Sequence, residues 1–139
     1  MYRALGNMVD LVRPGGLLFI SIYNDQGWKS RAWRSVKRHY NQGPIARRLI
    51  LAGFAGYAVL RGAIEDLPRG RNPMTRYRAH KQRRGMSVVF DWYDWLGGYP
   101  YEVARPEEIA GFYRDRGFQL ERLQTTSSLG CNEFVLRRQ

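Results

Sequence analysis

The sequence predicts an α/β fold, organised as one domain over residues 1–139. Three observations carry that expectation. A short apolar run, Leu17–Tyr23, follows the turn signal Pro14-Gly15-Gly16 and reads as a strand buried on both faces, as inside a parallel sheet. Several other segments repeat apolar residues at helical spacing. Near the end of the chain, Phe118–Thr125 alternates apolar and polar residues as a strand does. A chain of 139 residues is long enough to bury a core. Its single cysteine, Cys131, excludes an internal disulfide and a multi-cysteine zinc site, and fits a reducing, cytoplasmic setting. The first dozen residues are amphipathic, unlike a signal peptide.

Taken in order, Tyr2, Leu5, Met8, Val9 and Val12 recur at helical spacing and place a helix over residues 1–12. Pro14-Gly15-Gly16 stops it, and the central strand ends in the polar Asn24-Asp25-Gln26-Gly27. In open α/β sheets that carboxyl end is where ligands sit. Nothing upstream of the strand supplies it with neighbours on both sides. Trp28–Tyr40 is helical: Trp33, Val36 and Tyr40 form its apolar stripe, and Lys29, Arg34, Lys37 and Arg38 cover much of the rest.

Asn41-Gln42-Gly43-Pro44 breaks that helix, and a second spans Ile45–Ile64. Its middle, Leu49–Leu60, has twelve residues without a charge, flanked by Arg47, Arg48 and Arg61. That is too short to span a bilayer, which takes about 20. A core or lid helix is preferred over a helix in the membrane interface, because Gly53 and Gly56 suit close packing. Leu67–Arg84 reads as a surface loop or mobile strap, with Pro68, Gly70, Asn72 and Pro73 followed by Arg76, Arg78, Lys81, Arg83 and Arg84. Gly85-Met86-Ser87 and the aromatic–acidic stretch Asp91–Ala104 come next.

Pro106–Arg116 is a helix by its ends: Pro106 at the first position, Glu107 and Glu108 at the positive dipole end, and Gly117 as the left-handed cap. Ile109, Phe112 and Tyr113 are its buried stripe. Phe118–Thr125 follows as a strand with one wet face, Thr126–Asn132 is a loop, and Glu133–Arg137 returns as an antiparallel strand.

The net charge of +11 is concentrated. Between Gly27 and Arg84 there are 15 Lys or Arg against Glu65 and Asp66 alone, a local charge of +13, while the flanks together carry −2. Such a patch points to an anionic partner or a solvated helical face.

Helix, Pro-Gly-Gly, apolar strand, insert, Pro-Glu-Glu helix, Gly-Phe and a terminal strand pair resembles the C-terminal end of class I S-adenosylmethionine-dependent methyltransferases. In that family a fifth parallel strand, a helix, a sixth strand and an antiparallel seventh close the sheet. LVRPGGLLFISIYN looks like the fifth-strand region, and RPEEIAGFYRDRGFQLERL like the last helix and sixth strand. GMS, DWLGGYPYEVA and GCNEFVLR are similar to a bacterial subgroup with an insert after the fifth strand. The resemblance implies a partial Rossmann-like sheet of three C-terminal strands, the last two antiparallel, with residues 27–84 as a basic helical insert or lid.

The family's Gly-rich turn after a first strand, and its acidic residue ending the second, have no counterpart here. The chain therefore reads as the C-terminal half of such an enzyme. Met1 is then an internal methionine of a longer protein or the start of a truncated gene, and S-adenosylmethionine is not expected to bind this chain alone.

Tyr23 and Asn24, at the end of the central strand, are candidate substrate-pocket residues. The alternative is a turn in which Asn24-Asp25 bonds local backbone. Asp94, Trp95, Tyr99 and Glu102 are the other substrate candidates, because aromatic faces with a few acceptors suit an organic acceptor. Against that, Trp92 and Trp95 at i and i+3 also suit a helix core. His39 and His80 lack acidic neighbours at metal spacing and read as surface residues. Cys131 reads as a small buried apolar residue, and no catalytic nucleophile is legible.

Two functions follow. One is the acceptor-side portion of a methyltransferase for a small-molecule or lipid-linked, anionic acceptor, cytoplasmic or membrane-peripheral, with a missing half or another chain against the open strand edge. The other is a basic module gripping nucleic acid or an anionic membrane surface through its Lys, Arg and aromatic residues. The first is preferred, and nucleic acid disfavoured, because the ordered acidic flanks match the end of a fold.

Overall fold

The computed structural model describes residues 1–70, 72, 75, 79, 82, 85 and 87–139. The elements are α1 (Tyr2–Val9), β1 (Leu17–Asn24), α2 (Trp28–Tyr40), α3 (Pro44–Asp66) with a 3-10 turn (Leu67–Arg69), α4 (Val88–Gly97), β2 (Val103–Ala104), α5 (Pro106–Arg114), β3 (Phe118–Gln124) and β4 (Cys131–Arg138). They fall into two units: Met1–Ala32 with Glu102–Gln139, and Trp33–Tyr101.

The first unit is an α/β layer with a four-stranded mixed sheet in the order β2-β1-β4-β3. β4 is antiparallel to β1, from Leu17↔Arg137 to Tyr23↔Cys131, and antiparallel to β3, from Phe118↔Arg138 to Gln124↔Glu133. β1 and β3 therefore run in the same direction. β2 adds a parallel pairing of two residues, Tyr23↔Val103 and Asn24↔Ala104. That strand has no alternation signal long enough to read in sequence.

The core of this unit lies on one face of the sheet. Leu18 and Ile20 of β1, Phe134 and Leu136 of β4, Ile109 and Tyr113 of α5, and Leu5 of α1 pack there. The Tyr113 hydroxyl donates to the Leu5 carbonyl at 3.1 Å. Arg138 Nη1 donates to the carbonyls of Val9 (2.8 Å) and Val12 (2.6 Å), tying the end of α1 and the turn behind it to β4. Pro106 opens α5, and Gly117 takes φ +79 behind it, as the sequence predicts.

β1 is not buried on both faces. Leu17 is 57% and Phe19 62% exposed, because α1 and α5 contribute to a core made from the other side of the strand. Its full-length neighbour is antiparallel, and beside residues 17–22 its other edge carries no strand among the described residues. An apolar run reports hydrophobicity on both faces, but it cannot report which layers are present to cover them. β3 departs from the one-wet-face pattern: past Phe118 it is exposed throughout, as an outer strand with a bulge between Leu120 and Arg122. Cys131 is half-buried at the start of β4 and not in the core.

The second unit is helical. α3 turns Phe54 toward Trp33, with ring centroids 6.1 Å apart, and buries Gly62 and Asp66. Ile45 and Leu49 project outward, so α3 is a core helix along one side only. Ser87 caps α4, its hydroxyl accepting from Phe90 N at 3.3 Å. In the expected loop, Thr75, Ala79 and Gln82 have helical backbone, which like charges and Pro-Gly punctuation did not foretell. Pro73, Arg76, Tyr77, Arg78, His80, Lys81, Arg83, Arg84 and Met86 lie outside the described residues. No described helix is long and apolar enough to cross a membrane.

Candidate functional site

Of the six substrate candidates, Tyr23, Asn24 and Glu102 belong to the sheet unit, and Asp94, Trp95 and Tyr99 to the helical unit. In the sheet unit the parallel pairing of β2 brings the first three to the same end of β1. Tyr23 lies opposite Val103, and Glu102 precedes Val103 directly. Tyr23 is half-exposed, beside Cys131 on the uncovered face. The Glu102 carboxylate accepts from the Met1 amino group at 2.7 Å.

Asn24 is buried, and its amide works within the fold. Nδ2 donates to Thr126 O at 2.6 Å and Ser128 O at 3.4 Å, while Oδ1 accepts from Asn132 Nδ2 at 3.1 Å. Asn132 Oδ1 accepts in turn from Thr126 N at 3.0 Å. The buried Ser30 hydroxyl donates to Asn24 O at 3.4 Å and accepts from Gln26 N at 2.8 Å. A buried side-chain amide must satisfy both of its halves, and here the loop 125–130 supplies most of the partners. Asp25 makes the local bond expected of this turn, accepting from Gly27 N at 2.8 Å.

In the helical unit two of the candidates, Trp95 and Asp94, act on one lysine. Lys37 is buried, and its ammonium donates to the Trp95 carbonyl near the C-terminal end of α4. The ammonium also lies 5.3 Å from the Tyr101 ring centroid and 5.8 Å from that of Trp33. A cation is well placed at a helix C-terminus and over aromatic faces. Burial still lowers the Lys37 pKa, and the negative charge of Asp94 offsets part of that shift. Asn41 Nδ2 donates to Gly97 O at 3.3 Å, and Arg34 Nε to Tyr101 O at 3.0 Å.

Trp95 meets Trp33 edge-on at 6.5 Å, and Trp92 meets Phe54 edge-on at 6.0 Å. Trp95 and Tyr99 each keep about half their surface exposed, 48% and 49%. The Tyr99-Pro100 bond is cis. The groups this unit leaves accessible are the half-exposed rings of Trp95 and Tyr99, while the buried Lys37 ammonium is taken up by the Trp95 carbonyl and the Trp33 and Tyr101 rings. Flat aromatic faces of this kind can hold a flat organic group.

Sequence reasoning missed Lys37, Ser30 and Asn132. Lys37 had a signal: it falls at i+4 from Trp33, inside the apolar stripe and not outside it. Ser30 and Asn132 had none, because their partners are distant in sequence or on the backbone. A cleft of about 700 Å³ beside α5 and β3, lined by residues including Glu107, Arg114, Gln119 and Gln139, contains none of the six candidates. His39 Nδ1 lies 2.7 Å from the Ser35 carbonyl oxygen, and no cluster of potential metal ligands occurs among the described residues.

The turn after β1 holds one glycine of positive φ, Gly27, whose amide is taken by Asp25. β2 ends at Ala104 and is followed by Arg105, not by an acid. Compared with protein-family models, with curated proteins and with solved structures, the chain finds no match in any of the three.

Proposed function

We propose that this chain is the C-terminal, acceptor-side portion of an S-adenosylmethionine-dependent methyltransferase acting on a small-molecule or lipid-linked, anionic acceptor. The observation that carries the reading is the sheet. β1 and β3 run parallel, α5 leads into β3, and the terminal strand β4 returns antiparallel. That is the strand–helix–strand–antiparallel strand order with which the resembled family closes its sheet. The edge beside residues 17–22, which carries no strand among the described residues, and the exposed Leu17 and Phe19 support a sheet completed by further strands and another layer.

The residues present do not fit the cofactor. The reading makes β1 a late strand of the sheet, and neither a Gly-rich turn after a first strand nor an acid ending a second strand is among its residues. The one positive-φ glycine after β1, Gly27, has its amide taken by Asp25. No step through the cofactor is therefore assigned to this chain. In the sheet unit, Tyr23 and Glu102 at the carboxyl end of β1 are assigned to the acceptor, beside the buried Asn24 that ties the strand to the loop 125–130. The helical unit, taken by itself, offers Asp94, Trp95 and Tyr99 as a separate aromatic and acidic set. Methyl transfer is a displacement governed by alignment, so a site lacking a nucleophile is compatible with it.

The test is calorimetric titration of S-adenosylmethionine into the 139-residue chain and into the chain extended by whatever its gene encodes upstream. The expected result is binding by the extended chain only. Binding by the 139-residue chain alone overturns the reading. So does an upstream frame without a Gly-rich turn after a strand, combined with no binding by the extended chain.

A further inference from the structure

We propose that the outward face of α3 is a docking surface for an anionic lipid bilayer, on which the helix lies flat. This goes beyond the methyltransferase reading and does not depend on it. Ile45, Leu49, Leu60 and Ile64 of α3, continued by Leu67, are each 62–74% exposed. At about 100° per residue these five fall within one arc of about 100° on the helix. Ala52, Gly56 and Ala63 fill the spaces between them, and no charged residue lies in the arc. Arg48 flanks it on one side and Arg61 on the other.

An exposed apolar stripe of this length marks an interaction surface. α3 has 23 residues, but no described helix is long and apolar enough to cross a membrane. The geometry is that of a helix in the interface plane, with apolar side chains among the acyl chains and arginines at the headgroups.

Charge decides between occupants. Residues 27–84 carry 15 Lys or Arg against two acids. Of those acids, Glu65 is paired with Arg61 at 2.8 Å, and Asp66 is buried. Among the described residues the stripe is flanked on its own helix by Arg47, Arg48 and Arg61, with Arg69 in the turn that follows, so the charge beside it is cationic. A nucleic acid satisfies the cations but leaves Leu49 and Leu60 in water. An anionic bilayer satisfies both, each Lys or Arg near its surface adding to the attraction and each buried apolar side chain adding an uncharged, salt-insensitive part.

Vesicle flotation tests this with the 139-residue chain, since aggregates sink and only vesicle-bound protein rises. The probes are phosphatidylcholine vesicles with and without about one-third phosphatidylglycerol. The wild-type chain should float with the anionic vesicles and stay down with the neutral ones. The double variant Leu49→Ser/Leu60→Ser keeps every charge and should bind on the order of tenfold more weakly. Arg47→Glu/Arg48→Glu should also weaken binding and flatten its salt dependence.

Circular dichroism and melting curves confirm that the variants fold. Should the serine pair unfold, Ile45→Ser/Ile64→Ser, at the two ends of the helix, reads the same stripe. Failure of the wild-type chain to float with anionic vesicles overturns the proposal. So does flotation that the serine variants leave unchanged, which would mean attachment by charge alone. A change in oligomeric state with no flotation would assign the stripe to a second copy and also overturn it. No arm contains S-adenosylmethionine, so either reading can fail while the other stands.

Discussion

Asn132 donates through Nδ2 to Asn24 Oδ1 at 3.1 Å, a buried bond between residues 108 apart in the chain. The pair ties the end of β1 to β4 and to the loop between β3 and β4. Asn132→Ala leaves Asn24 Oδ1 and Thr126 N without these partners in a buried setting, and should cost about 2–4 kcal/mol. Asn24→Ala should cost a similar amount, and the double variant clearly less than their sum, because both remove one network. Urea denaturation of the three variants checks this; additive losses would mean that the two amides act independently.

Lys37 predicts a pH dependence with a definite sign. Burial holds its folded pKa below the ordinary lysine value. Between those two values the unfolded chain binds a proton that the folded chain has released, so stability from this group rises with pH across that window. Below the window both states are protonated and its contribution is flat. Lys37→Met removes the effect, so wild type minus variant should climb in the wild type's favour as pH rises. Tyr40 and Tyr113, whose pKa values burial raises, push the opposite way above the ordinary tyrosine value, but they are common to both proteins and cancel. Chemical denaturation at a series of alkaline pH values gives the difference directly.

The two faces of the sheet should respond differently to substitution. Phe134→Ala empties a fully buried site and should cost about 3–5 kcal/mol. Phe19 sits 62% exposed on the other face, so Phe19→Ser should cost less than about 1 kcal/mol. The same substitution should reduce self-association, since an exposed apolar strand beside an open edge recruits other chains. Denaturation midpoints and sedimentation velocity separate the two effects.

Two glycines predict losses of different origin. At Gly117 nothing lies within 4 Å of an added Cβ, but φ is +79, so Gly117→Ala should cost about 1–2 kcal/mol from backbone strain alone. At Gly16 the strain is absent, but a Cβ would come 2.8 Å from Arg13 O, so Gly16→Ala must shift the turn that opens β1. Melting temperatures should fall for both, and amide exchange in β1 should quicken only for Gly16→Ala.

Much of the local structure was legible because its causes are local. Pro106 and Gly117 bracket α5, the Trp33–Val36–Tyr40 spacing marks α2, and Pro14-Gly15-Gly16 separates α1 from β1. What fails is whatever depends on a partner elsewhere. The apolar run of β1 predicted two covered faces, yet one remains bare. The same limit applies to the candidate residues: Tyr23 and Asn24 are singled out by their place at a strand end, but the bonds of Asn24 are set by Asn132 and Thr126.

By itself the sequence determined the alternation of helices and strands, the antiparallel return of the last strand and the basic middle segment. These follow from side-chain period, turn chemistry and charge count, which the chain carries residue by residue. The tertiary structure alone decided that β4 lies between β1 and β3, that Lys37 is buried under Trp33 and Tyr101, and that α3 turns Leu49 and Leu60 outward. Each of these depends on which surfaces meet, and burial is a property of a pair of surfaces that one stretch of sequence does not contain.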